Sequence, residues 1–230
     1  MAKLINSFYE DFESMTTTLG RNWLGGQNNW RLDPLNIGDG GSAIQITNFP
    51  LTPRGGSIQI HNKVADIRMP SSGFEQFLHR VDNRSEDYKA SFRVQLTADA
   101  QAKSTNKLTY IAGCSDTGNS WLWAIGIAID DVQIYDNVGA HWTAFVPGSG
   151  NEDLYEVIVQ SGVIDFKING VSKGTFAVEA SVPDKALNFI GIGNDAAGAV
   201  VGDTVAYVDA ISVDRYVANS GNIAKIFAGR

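Results

Sequence analysis

Hydrophobic positions along this chain alternate with polar ones over short runs, and the runs are cut by Gly, Asn, Asp and Pro. A period of two sends successive side chains to opposite faces of a strand, so the pattern predicts β-structure nearly throughout. The clearest stretch is Leu154 to Val178, LYEVIVQSGVIDFKINGVSKGTFAV, which reads as three antiparallel strands joined by two tight turns. A two-residue Ser161-Gly162 turn puts Val159 opposite Ile164, Val157 opposite Phe166 and Tyr155 opposite Ile168, all on a core face. The other face then carries Gln160 with Val163, Ile158 with Asp165 and Glu156 with Lys167, the last an opposite-charge pair. At the second turn, a strict two-residue loop at Asn169-Gly170 would bury Lys173 opposite Phe166. A three-residue loop with a bulge at Gly170 avoids this, pairing Ile164 with Phe176 and Lys167 with Lys173.

Similar signals predict strands near Ser7 to Glu13, Trp30 to Leu32, Ala43 to Thr47, Ser57 to Asn62, Val64 to Met69 and Tyr88 to Thr97. Others fall near Leu108 to Ala112, Ser120 to Ile129, Val132 to Tyr135, Trp142 to Phe145, Ala186 to Ile192 and Thr204 to Tyr216. So many strands suit two packed sheets. Phe74 to His79 reads as one helical turn, and Ala100 to Asn106 as a polar loop. An Asp130-Asp131 turn pairs Ile129 with Val132 and Ile127 with Ile134, and the same parity sends Trp121, Trp123 and Ile125 inward. The opposite face shows Leu122, Ala124, Gly126 and Ala128, with Gly126 opposite Tyr135 and Ala128 opposite Gln133. A small-residue strand beside an aromatic is where backbone or ligand can approach closely. After the last strand, Ala218 to Arg230 contain Ile223, Ile226 and Phe227 and read as an arm docking onto the domain or a neighbouring subunit. The expected organisation is one β-sandwich domain over 1–217 and a C-terminal arm over 218–230.

Composition narrows the functional classes. The chain has 230 residues, 43% apolar and 19% charged, which suits one large globular sandwich rather than extended disorder. A formal net charge of -7 and a pI near 4.9 disfavour nucleic acid and acidic membrane surfaces, both of which need clustered cations. Cys114 is the only cysteine, so no intrachain disulfide can form, and it is expected to be an inert buried thiol. The start, MAKLINSFYEDFES, lacks the apolar run of a signal peptide, and no stretch reaches the roughly 20 apolar residues of a membrane helix.

Several motifs in order resemble the concanavalin A-like lectin and glucanase superfamily, particularly its laminin G-like jelly rolls. DFESMTTTLGRNW, Asp11 to Trp23, is similar to the first strand, loop and tryptophan of such domains; SAIQI, which includes Ala43 to Ile46, is similar to the next strand. YKASFRVQL, Tyr88 to Leu96, resembles a long sheet strand, the Asn169-Gly170 turn a late family hairpin, and TVAYVDAISVDRY, Thr204 to Tyr216, the closing strand. The resemblance implies an all-β, two-sheet antiparallel β-sandwich of concanavalin A-like jelly-roll type. A carbohydrate-binding module of different jelly-roll topology shares the DFE-type opening and a closing strand resembling YVDAISV, and is the alternative fold.

Glycosidases of that superfamily carry paired carboxylates on one strand, facing one cleft. That spacing is not found here; Glu10, Asp11 and Glu13 form the nearest cluster and read as solvated charges or loop anchors. Gln59-Ile60-His61 matches the central triplet of alginate-lyase jelly rolls, but the arginine-rich and tyrosine-rich companion strands are missing, so Gln59 and His61 read as ordinary strand polar residues. No cofactor is expected, although Asp130, Asp131, Asp136 and Asn137, and Asn194, Asp195 and Asp203, offer oxygens suited to calcium. Such residues also make turns unaided, and that is the reading adopted. Three histidines at 61, 79 and 141 with one cysteine give no zinc signature.

Aromatic rings can stack on sugar rings. Trp23 and Trp30 read as core. Trp142, beside His141 after a Gly-rich turn, is the expected ligand-binding residue, with Tyr135 and Gln133 on the neighbouring strand. The expected function is a non-enzymatic recognition or structural module, with glycan or assembly proteins as partners and an oligomer or larger assembly as its form. What the resemblance implies is capsid decoration or a tail role on a virion surface, or another extracellular surface reached from the cytoplasm without a classical signal peptide. The alternative is a polysaccharide lyase or glycoside hydrolase of the same fold.

Overall fold

The computed structural model describes residues 3–15, 17, 28–32, 44–48, 63–68, 74–81, 85–96, 109–116, 121–127, 131–136, 138–143, 145, 152–195 and 204–217. They form fifteen strands: β1 (Lys3–Glu10), β2 (Arg31–Leu32), β3 (Ile44–Asn48), β4 (Lys63–Arg68), β5 (Phe74–Arg80), β6 (Tyr88–Leu96), β7 (Thr109–Cys114), β8 (Trp121–Ile127), β9 (Val132–Tyr135), β10 (Ala140–Thr143), β11 (Glu152–Gln160), β12 (Val163–Ile168), β13 (Val171–Ala177), β14 (Phe189–Asp195) and β15 (Thr204–Val217). One sheet runs β13-β12-β11-β6-β15-β4-β3 with β1 also beside β15, and the other runs β10-β9-β8-β7-β14-β5-β2. Every pairing is antiparallel, and the inner faces of both sheets meet in one core. The predicted all-β, two-sheet antiparallel sandwich is the fold observed. The predicted strand at Ser57 to Asn62, the loop at Ala100 to Asn106, the arm at 218–230, and Trp23, Gln59 and His61 lie outside the described residues.

The central meander folds as its pattern requires. Val159 pairs with Ile164, Val157 with Phe166 and Tyr155 with Ile168, and all six side chains are buried. Both turns place two residues in the left-handed region, Ser161 and Gly162 at φ 52° and 76°, Asn169 and Gly170 at 51° and 77°. This mirror-image turn geometry matches the right-handed twist of the flanking strands. The bulge lies elsewhere than expected. Asn169-Gly170 is a two-residue turn pairing Ile168 with Val171 and Lys167 with Ser172; the register then slips so that Phe166 meets Gly174 and Ile164 meets Phe176. Lys173 is the extra residue, kept out of the core by a slip within the strand instead of within the turn.

Three further expectations are corrected. Phe74–Arg80 is a strand rather than a helical turn, because it hydrogen-bonds to β14 and β2 on its two sides, a long-range pairing that outweighs a short ambiguous pattern. The loop between β8 and β9 is longer than Asp130-Asp131, so Ile127 pairs with Val132, Ile125 with Ile134, Gly126 with Gln133 and Ala124 with Tyr135. A slip of two leaves every face unchanged. A slip of one does not: between Gly113 and Cys114 the register jumps, so Gly113 faces Trp123 but Cys114 faces Trp121. Trp121 is thereby turned to the outer face while Trp123 stays in the core.

The core is aromatic where the sheets meet. Trp30 and Trp123 are fully buried, Phe92 stacks on Tyr155 with centroids 5.6 Å apart, and Trp123 Nε1 donates to Tyr88 Oη across the sandwich at 2.9 Å. Burial holds the phenol protons of Tyr88 and Tyr155 well above the ordinary range. The opening carboxylates are anchors. Glu10 is buried and accepts from Phe12 N, while Glu13 accepts from Lys63 N, and Lys63 Nζ donates to the carbonyls of Glu13 and Met15.

The outer face of the eight-stranded sheet is charged. Glu156 faces Lys167 in register, yet its carboxylate pairs with Lys89 on the other neighbouring strand, and Lys167 pairs with Asp165 at 3.3 Å. Arg93 and Glu152 are 2.6 Å apart. Cys114 is buried and free.

Asp153 makes the stability of the fold depend on pH. Burial raises its carboxyl above the ordinary value of 3.8, against the opposing hydrogen bond from Asn169 Nδ2 at 2.7 Å. A group that holds its proton more tightly when folded adds most stability at low pH and loses it as pH rises from the unfolded value through the raised one. Asp153→Asn keeps an oxygen for Asn169 and removes the titration. The variant is expected to melt higher than the parent at neutral pH, with the advantage shrinking as pH falls through the raised value and gone below about 4. Thermal melts across that range test this, and an advantage that grows on acidification contradicts it.

Candidate functional site

Period-two alternation in the seven-stranded sheet sends one set of side chains into the core and the other to the outer face. Register resolves the outer set into three rows running across the strands. One row is Phe189, Cys114 and Trp121; the next is Leu78, Gly191, Ala112, Ala124 and Tyr135; the third is Gly193, Tyr110, Gly126 and Gln133. The middle row is thus a floor of glycine and alanine, with aromatic side chains on both sides and Tyr135 at one end. Leu78, Ala112, Cys114 and Ala124 form a buried apolar cluster of their own, distinct from the main core, with Trp121, Tyr135 and Phe189 half-buried against it.

Tyr135 holds the rings together. Its centroid lies 5.6 Å from that of Trp121 at 64° and 5.8 Å from that of Tyr110 at 87°, both edge-on contacts. Such contacts stabilise an aromatic pair by roughly 0.5–1.5 kcal/mol beyond burial, so the arc Trp121-Tyr135-Tyr110 is a stiff unit. Gln133 donates from Nε2 to Asp131 Oδ2 at 2.7 Å, which orients its amide on this face. Register places Arg80 beside Phe189 at a corner of this face, and Asp131, hydrogen-bonded to Gln133, shares the alternation of Gln133 and Tyr135.

The four expected site residues do not assemble into one patch. Tyr135 and Gln133 are on the outer face. Trp142 pairs with Ile134 after a slip at Ala140 and turns inward, half-buried, its ring edge-on to Phe166 at 5.6 Å. His141 lies at the seam between the sheets, stacked on Phe176 at 4.3 Å and 4°, with Nε2 2.7 Å from Asp136 Oδ2. Asp136 also accepts from Val138 N at 2.8 Å and Gly139 N at 3.3 Å, the turn chemistry expected of it. Among the described residues no group of three or more His, Cys, Asp or Glu is placed to hold a metal ion.

Trp121, Tyr110 and Phe189 were not legible as site residues. The small-residue pattern of Ala124 and Gly126 beside an aromatic is the available signal, and it points to this face. The floor itself is buried, so what this face offers a ligand is the half-buried rings of Trp121, Tyr135 and Phe189 and the amide of Gln133. No helix among the described residues is long and apolar enough to cross a membrane.

No protein-family model and no curated protein matches the chain. Solved structures do match. Domain 4 of a GH43 extracellular arabinanase from Geobacillus stearothermophilus, in complex with arabinotriose, aligns with a TM-score of 0.53 at 14% identity, covering 98% of each chain. The botulinum neurotoxin serotype D/C binding domain aligns with a TM-score of 0.54 at 12% identity over 97% of this chain, and the receptor binding domain of botulinum neurotoxin D with 0.50 at 14% over 88%. This chain spans 51% and 48% of those toxin domains, about half their length. At these identities the likeness is one of fold, a two-sheet antiparallel β-sandwich.

Proposed function

We propose that the chain is a non-enzymatic glycan-binding β-sandwich module that binds through the outer face of the seven-stranded sheet. The observation that carries this reading is that four neighbouring strands, β14, β7, β8 and β9, each contribute one aromatic residue, Phe189, Tyr110, Trp121 and Tyr135, around a glycine and alanine floor. Flat rings match the C-H faces of sugars, and the rings of Trp121, Tyr135 and Phe189 are only half-buried above a floor that is itself buried. Gln133 supplies an amide for hydroxyl groups. The other sheet's outer face is laced with ion pairs and has no comparable cluster among the described residues. Support also comes from the full-length fold match to an arabinanase domain solved with arabinotriose. A virion-surface setting rests on the laminin G-like resemblance of the sequence alone.

Calorimetric titration with arabinotriose, beside a glycan array, tests the module. Tyr135→Ala and Trp121→Ala are each expected to weaken binding about five- to tenfold, the equivalent of about 1 kcal/mol for a lost ring contact. Trp142→Ala serves as the control: its ring packs inward, so it lowers the melting temperature and leaves the affinity of the folded protein unchanged. Equal losses from Trp142→Ala and Tyr135→Ala, or no glycan bound at millimolar protein, would remove the reading.

A further inference from the structure

The sheet edges are guarded unequally. An edge strand leaves backbone donors and acceptors open, and native proteins blunt such edges by keeping them short, bulged or charged. In the seven-stranded sheet the end strands β10 and β2 have four residues and two. In the eight-stranded sheet β3 has five, and β13 carries Lys173 at its slip. β1 is longer, at eight residues, and from Leu4 to Tyr9 it has no charge and no proline. β15 takes one side of it, and no other described strand takes the second. Leu4, Ile5 and Tyr9, at 39%, 40% and 49% exposure, are half of the large exposed apolar side chains among the described residues.

We infer that β1 is a pairing edge for a second copy of this chain, joined antiparallel about a two-fold axis at Asn6. The bulge in β1 makes this register possible. Paired residues in an antiparallel ladder share a face, whereas in a regular strand residues an odd number apart lie on opposite faces. Ser7 is the extra residue here, since Asn6 pairs with Asp214 and Phe8 with Val213. Alternation is reversed beyond it, so Leu4 and Tyr9 share the outer face with Asn6, and Ile5 and Phe8 share the inner one. With Asn6 opposite its counterpart in the second copy, Leu4 meets Tyr9, Ile5 meets Phe8 and Lys3 meets Glu10, so the whole strand is paired. The charges match as well: the cationic start at Lys3 lies against the acidic end at Glu10 and Asp11, once at each end of the ladder. A parallel arrangement would set like charge against like.

One strand from each copy makes a small interface, so dissociation is expected in the range of about 10 µM to 1 mM. Sedimentation of the full chain across that range should show a monomer-dimer equilibrium. Leu4→Lys and Ile5→Lys together are expected to weaken it about tenfold or more, because amines from both copies would crowd one ladder. A thermal melt establishes that this variant is folded. Val163→Lys, at an exposed valine beside the Ser161-Gly162 turn, should leave the equilibrium unchanged. Amide hydrogen exchange along Leu4 to Tyr9 should slow as concentration rises. A chain still monomeric at about 1 mM, a dimer that the double variant leaves intact, or an equal loss from Val163→Lys overturns the inference. So do β1 amides protected equally at every concentration, which would mean that another segment of the same chain, such as residues 218–230, covers the edge.

Discussion

Trp123→Ala is expected to destabilise the protein by about 3–5 kcal/mol, the range for truncating a fully buried tryptophan. Two effects add. The indole fills the space between the sheets, and its Nε1 donates to Tyr88 Oη at 2.9 Å, so the truncation leaves both a cavity and a buried hydroxyl without its donor. Tyr88→Phe removes the same hydrogen bond from the other side, leaving the buried Trp123 Nε1–H without its acceptor, at about 1–3 kcal/mol. Gly113 is tied to the same ring from the neighbouring strand: a Cβ there would sit 2.5 Å from Trp123 Cε2, 2.6 Å from Cζ2 and 2.7 Å from Nε1. A fully buried indole cannot step aside, so Gly113→Ala is expected to cost about 1–3 kcal/mol through overpacking and displacement of the hydrogen bond. Urea denaturation of the three variants and of the Gly113→Ala, Tyr88→Phe pair measures this. If the indole is displaced, the double mutant loses less than the sum of the single ones. Gly113→Ala within about 0.5 kcal/mol of the parent would show that the strand-to-ring contact is not the constraint described.

Glu10→Ala is the second large loss, expected at about 2–4 kcal/mol from donors left unsatisfied in a buried site. Its carboxylate accepts from Phe12 N at 2.8 Å, Asn28 Nδ2 at 3.2 Å and Trp30 Nε1 at 3.3 Å, tying the loop after β1 to the turn before β2. Phe12, Asn28 and Asn29 all have positive φ, at 59°, 47° and 65°; asparagine tolerates this region, but a bulky residue such as Phe12 keeps it only when held from outside. Removing the carboxylate releases both segments together. A fall in melting temperature of roughly 5–15 °C is expected for a chain of this size. Trp30 fluorescence should shift to the red in the same transition. Glu10→Gln, which keeps the shape and one acceptor, should lose less. If Glu10→Ala and an exposed control such as Glu179→Ala melt together, the carboxylate is not the anchor.

Reading period two along the chain was enough to place Tyr155, Val157, Val159, Ile164, Phe166 and Ile168 in the core with the correct partners. Alternation over a hairpin is a local property, and a two-residue turn with Gly in it leaves one register compatible with burial. The same reasoning misplaced the bulge at Lys173, because the need to keep that amine out of the core can be met anywhere between the turn and Gly174. It mistook Phe74–Arg80 for a helical turn, since FEQFLHR carries no decisive period and its pairing partners lie far along the chain. On the candidate site, Tyr135, Gln133 and the small residues of β8 were legible as neighbours. Trp142 was read as a rim residue and turns inward, because the slip at Ala140 in β10 leaves no trace in the local pattern.

Trp121 shows where the division falls. Alternation alone determined that the chain would make a two-sheet sandwich and which residues in each regular run share a face, because the two-residue repeat is written into every strand. Alternation cannot say where a strand skips a residue, since a bulge depends on the neighbouring strand. Here that neighbour is β7, where Gly113 makes room for one indole and Cys114 begins a new register. The skip sends Trp123 into the core and Trp121 out, and only through it do Trp121, Tyr135 and Tyr110 meet to form the outer aromatic arc.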